Sequence, residues 1–189
     1  MLALYRLFTL ALASVACART LDVRQVTNTN AAINAIVDRL DETMRHAGPA
    51  ILTLMANHKL SPTTLGTQMD SIGAAFRRTT TALAATPVSG GSTTVMPTND
   101  EIAVTYSDAM QLVSASLSGI IRNGRVPNFP TMVATLDPIM AAAATQFNKT
   151  LPNSISLVAI MLRDAGQFLL AEGFNQTFAA IKPTTAPTT

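Results

Sequence analysis

The side chains able to do chemistry are few, and their spacing is ambiguous. His46 and His58 stand twelve residues apart on either side of Gly48-Pro49, with Asn57 beside the second. A chain folding back at that pair would bring two imidazoles together, groups that titrate near neutral pH and ligate metals. Asp38, Asp41 and Glu42 offer paired carboxylates of the kind used for acid/base work. Arg39 and Arg45 interleave with them at helical spacing, however, which is equally the pattern of a solvated, ion-paired face. Arg163-Asp164 lies in an otherwise apolar stretch, where an inward charge would need a partner. With Gln167 it reads more simply as the wet edge of a helix. The chain carries no H-E-x-x-H, G-x-S-x-G, S-x-x-K or phosphate-cradling glycine motif. Solvent-facing imidazoles and a solvated charged face are therefore expected, with no enzyme, no metal and no cofactor.

Apolar side chains carry the stronger signal. Of 189 residues, 48% are hydrophobic and only 13% charged. That balance excludes disorder for most of the chain. A net charge of +2, scattered along the sequence, excludes a nucleic-acid footprint. Methionine is flexible and polarizable, so surfaces lined by it adapt to irregular apolar ligands. Met69, Phe76, Met110, Met132, Met140, Met161 and Phe168 fall on apolar stripes and are the candidates for lining such a ligand. Ordinary core filling is the alternative reading of the same residues.

The elements that position them read as helices. Val23, Val26, Ile33, Val37, Leu40 and Met44 recur in steps of three and four, with Asn30 in the one register lacking an apolar residue. Gly48-Pro49 marks the expected end of that helix, and Ile51 to Leu60 would add a turn or two. Ser61-Pro62 caps and opens the next, reaching about Ala85 with Leu65, Met69, Ile72, Phe76 and Leu83 on one face. A long Pro/Gly/Ser/Thr loop follows, from Thr86 to Pro97. Thr98-Asn99-Asp100-Glu101 matches a capping box and starts a helix ending near Gly124. Asn128-Phe129-Pro130 begins another, with a kink or break expected at Pro138. The last helix is expected from about Pro152 to Ile181 and is apolar nearly all round from Ile155 to Leu170, which places it at the centre. The fold class is all-α, a bundle of about five long helices.

The ends of the chain point to export. Met1 to Arg6 bears one positive charge, Leu7 to Ala16 is uncharged and apolar, and Ala16-Cys17-Ala18 supplies small residues for cleavage. Residues 1–18 therefore read as a signal peptide, too short in its apolar run to span a bilayer. No transmembrane segment is expected. Cleavage after Ala18 removes the only Cys, so stability must come from the packed core without disulfides. Asn148-Lys149-Thr150 and Asn175-Gln176-Thr177 are N-glycosylation sequons in such a chain. Residues 183–189 form a Thr/Pro-rich tail like a short O-glycosylated stalk. Residues 19–182 are then the helical domain.

Several segments together resemble the fungal hydrophobic surface-binding protein A family, which is related to cell-wall galactomannoproteins. They are the helix from Asp22 to Met44, Thr98-Asn99-Asp100-Glu101-Ile102-Ala103-Val104, and Leu151-Pro152-Asn153-Ser154-Ile155. Gly173-Phe174-Asn175-Gln176-Thr177-Phe178-Ala179-Ala180-Ile181 completes the set. The resemblance covers about residues 20–182, and Gly48 to Ser61 departs from it. It implies a secreted, cell-wall or extracellular helical protein that adsorbs to hydrophobic surfaces or holds fatty acids between its helices. It also implies a partner, a secreted polyester-degrading esterase that can be recruited to its solid substrate. No catalytic residue is carried over. The competing expectation is a structural cell-wall mannoprotein whose core is filled and binds nothing.

Overall fold

A computed structural model of the chain describes residues 29–91 and 95–182. The expected signal peptide, Val23, Val26 and the Thr/Pro tail lie outside the described residues. The fold is all-helical: α1 (Thr29–Ala56), α2 (Pro62–Ala84), α3 (Asn99–Leu117), α4 (Ile120–Asn123), α5 (Phe129–Thr150), α6 (Ile155–Met161), α7 (Ala165–Ala171) and α8 (Asn175–Ile181). Four of these, α1, α2, α3 and α5, are 19 to 28 residues long, and the other four have seven residues or fewer. α1 packs between α2 and α3, and α2 packs on α5. The space left between α3 and α5 is closed by the C-terminal ribbon, α6 and α7 lying on α3 and α8 on α5.

The apolar stripes become the core. Ile33, Val37, Leu40 and Met44 of α1 meet Leu65, Ile72 and Phe76 of α2, and all are at most 1% exposed. Across the centre the rings of Tyr106 (α3) and Phe147 (α5) stack 4.2 Å apart, 10° from parallel. Stacking of this kind stabilises the pair beyond the area the two rings bury. Asn30 fills its odd register for a reason. Its carboxamide donates to the Pro97 carbonyl and to Asn99 Oδ1 and accepts from the Ser89 hydroxyl. Ser89 in turn donates its N–H to the Thr150 carbonyl. This buried polar node fastens the long loop to the ends of α1, α3 and α5.

Two helix starts follow their local signals. Ser61 caps α2, accepting from the Thr64 N–H while Thr64 Oγ1 accepts from the Ser61 N–H. Thr98 and Glu101 form the capping box of α3.

Four expectations are corrected. α1 does not end at Gly48-Pro49 but runs on to Ala56. A Cβ on Gly48 would lie 3.4 Å from the Leu112 carbonyl oxygen, so this glycine serves the close approach of α1 and α3. The true stop is a Schellman turn in which His58 takes φ +56°. There the His58 N–H is bonded to the Met55 carbonyl and that of Lys59 to the Leu54 carbonyl. Second, of the kink or break expected at Pro138, the break is absent: α5 continues to Thr150. Third, the C-terminal helix is neither single nor central. It is three seven-residue helices on the outside of the bundle, broken at Leu162–Asp164 and again at Glu172–Phe174. With these breaks, the bundle has four long helices where about five were expected. Fourth, the helix predicted to reach Gly124 stops at Leu117, and Gly119 just beyond it takes φ +80°.

Candidate functional site

The seven predicted ligand-lining residues divide by position. Phe76, Met110 and Met140 are wholly buried and Met69 is 4% exposed, so these four pack in the interior. Met132 and Met161 are half-buried. Phe168 is 51% exposed.

Met69 and Met132 are brought together at a groove between α2 and α5, of about 170 Å³. Two glycines one heptad apart on α2 set its floor. A Cβ on Gly66 would touch Met132 Cε at 3.5 Å, and one on Gly73 would touch Leu136 Cδ1 at 3.4 Å. The missing side chains let Met132, Leu136 and Ile139 lie against α2, with Asp70 and Arg77 on the rim. Met110, Met140, Met161 and Phe168 are not part of this groove's lining.

Phe168 belongs instead to the ribbon, where Ile160 is 63% and Leu170 45% exposed. What turns these large apolar groups outward is the pair of breaks, each stitched to the body by side chains. Gln111 of α3 donates from Nε2 to the Met161 carbonyl at 3.0 Å, and the Ser114 hydroxyl donates to the Ala165 carbonyl at 2.6 Å. At the second break the buried Glu172 carboxylate accepts the N–H groups of Gly119 (2.7 Å) and Ile121 (3.0 Å). Gly173, at φ +93°, closes α7. Phe174 returns its N–H to the Leu169 carbonyl, as a left-handed helix stop requires. Buried Asp137 of α5 then accepts the Gln176 and Thr177 N–H groups at 2.9 and 2.7 Å. Orphan backbone groups at the short helices are thus satisfied from α3, α5 and Glu172. A Cβ on Gly166 would sit 3.1 Å from the Phe178 ring, so the absence of a side chain there lets α7 lie against α8.

Asp137 and Glu172 were missed by sequence reasoning. Asp137 stands between Leu136 and Pro138 on an apolar stripe, and its partners are 39 and 40 residues away. No local pattern announces them.

The residues with chemical potential stay apart. His46 lies inside the continuous α1 and His58 just past its end. The helical stretch from His46 to Ala56 alone extends about 15 Å along the axis. His58 Nδ1 meets Arg125 at 3.0 Å instead. Asp41 and Arg45 form the expected i,i+4 ion pair at 2.6 Å, and that hydrogen bond raises the Arg45 guanidinium above its ordinary value. Asp41 Oδ1 and Tyr106 Oη are buried with no hydrogen-bond partner among the described residues. Burial pushes the Tyr106 phenol well above its usual value near 10. Arg163, Asp164 and Gln167 lie on the outer side of the ribbon, as a wet edge should. Among the described residues no three His, Cys, Asp or Glu side chains group as metal ligands, and no helix is long and apolar enough to cross a membrane.

Compared with known families and with characterised proteins, the sequence matches no family model and no curated protein.

Proposed function

We propose that this is a secreted, non-catalytic protein that binds hydrophobic surfaces or lipid acyl chains through apolar side chains on its outside. The observation carrying this reading is the ribbon: Ile160, Phe168 and Leu170 stand 45–63% exposed on a segment anchored by buried polar bonds. Each would contribute about 1 kcal/mol on contact with an apolar surface, since half of the side chain is already covered. The α2–α5 groove extends the reading to single acyl chains, at about 0.8 kcal/mol per buried CH₂. Recruitment of a secreted polyester-degrading esterase to a solid substrate belongs to the same proposal.

Adsorption to polystyrene beads tests it. The double variant Ile160→Ser, Phe168→Ser should keep its helical circular dichroism and lose most of its retention. Equal retention by the variant and the parent would reject the ribbon as the binding face. The second reading, a structural cell-wall glycoprotein, is favoured by the packing of Phe76, Met110 and Met140 wholly inside the core. It predicts that neither beads nor fatty acids retain the protein.

A further inference from the structure

Apolar binding leaves the two sequons unexplained, and the fold treats their residues unequally. Both asparagines are exposed, Asn148 in the last turn of α5 and Asn175 at the start of α8. Both threonines are buried, Thr150 at 1% and Thr177 at 0% exposure. The Thr150 hydroxyl donates to the Leu83 carbonyl at 3.2 Å and accepts from Gln146. The Thr177 hydroxyl donates to the Asp137 carbonyl at 3.1 Å, and its N–H goes to the Asp137 carboxylate. We propose that Asn148 and Asn175 carry N-linked glycans, and that both are attached before α5 and α8 pack. The proposal rests on the secretory reading of residues 1–18.

The chemistry requires that order. The transferase must reach the carboxamide and the hydroxyl of one sequon together, and in the folded chain the hydroxyls are enclosed. The donor is an oligosaccharide carried on a lipid pyrophosphate. Asn Nδ2 forms a bond to the anomeric carbon and the C–O bond to the pyrophosphate breaks. The pyrophosphate leaves with the electron pair, and the amide proton passes to a base of the transferase. The product then folds with its sugar outside, because each asparagine ends in solvent while its threonine is drawn inward.

Placement on the helix adds a consequence. Asn148 follows Asp137 by eleven residues, about 20° round the helix and about 16 Å along it. Asp137 itself holds Gln176 and Thr177, the residues that follow Asn175. Ile139, in the α2–α5 groove, is nine residues from Asn148. That spacing is about 180° round the helix. The Asn148 glycan therefore leaves the groove open.

The test is intact-mass measurement of the full chain secreted by a eukaryotic host, before and after peptide N-glycosidase treatment. The expected result is two glycans, one lost in Asn148→Gln and the other in Asn175→Gln. Secreted protein of unmodified mass would overturn the proposal. A second version with a proven export signal replacing residues 1–18 separates the two premises. Glycosylation there, with cellular retention of the native chain, supports the sites and overturns the secretory reading. Folded, unmodified protein given transferase and donor should stay unmodified; its glycosylation would overturn the stated order.

Discussion

The four long helices and the C-terminal ribbon are built from similar amino acids and held by different means. In the body, α1, α2, α3 and α5 satisfy their own backbones and bury stripes such as Ile33, Val37, Leu40 and Met44. In the ribbon, no helix exceeds seven residues, and the backbone depends on Gln111, Ser114 and Asp137 for its partners, while Glu172 ties it to α4. Helices so short are marginal alone. A run that is apolar in every direction therefore need not be buried in every direction. Broken twice, it can bury Val158, Leu162, Leu169 and Phe174 while presenting Ile160, Phe168 and Leu170 to the outside.

Substitutions on either side probe this contrast. The largest effect should come from the body, where Phe147→Ala removes the ring stacked on Tyr106. It should cost about 3–5 kcal/mol in urea unfolding. Asp137→Ala strands two N–H donors of the ribbon, that of Thr177 buried and that of Gln176 partly buried. That loss should cost roughly 3 kcal/mol. Hydrogen exchange should localise it, with amides of 175–181 exposed while those of α1 and α2 stay protected. Uniform loss would mean that ribbon and body are one cooperative unit.

Tyr106→Phe removes a buried hydroxyl that has no partner among the described residues. It should be neutral or stabilising by up to about 1 kcal/mol. Its clearer signature is alkaline. Because the folded phenol titrates above its unfolded value near 10, the unfolded state loses its proton first. The stability it confers is complete below that unfolded value and falls as pH rises above it, by about 1.4 kcal/mol per pH unit up to the folded value. The phenylalanine variant should lack that part of the decline in melting temperature. The smallest effect is Phe168→Ser, because the ring is already half in solvent. Its unfolding free energy should stay within about 0.5 kcal/mol of the parent.

The same contrast explains what was legible. Stripes at helical spacing, Ser61 with Pro62, and Thr98 with Glu101 are local, so sequence alone places α2, the start of α3 and the inward faces of the body. Gly48 reads as a terminator only while its contact with the Leu112 carbonyl, far along the chain, is unknown. The ribbon's breaks depend on Gln111 and Asp137, each reaching a distant backbone group, and nothing within Ile155–Leu170 announces them. Of the ligand-lining candidates, the stripe argument could not separate Phe76, which fills the core, from Phe168, which leaves it. Helical spacing fixes a face, and only the neighbouring helices decide whether that face is covered.

If the protein meets apolar matter with the outside of an intact bundle, its backbone should show where. Hydrogen exchange on the protein adsorbed to polystyrene nanoparticles is compared with exchange on the free protein. The expected result is added protection along residues 158–172, with α1, α2, α3 and α5 unchanged. Protection absent from that segment, or exchange accelerated throughout the four long helices, would contradict binding by the ribbon of a folded bundle.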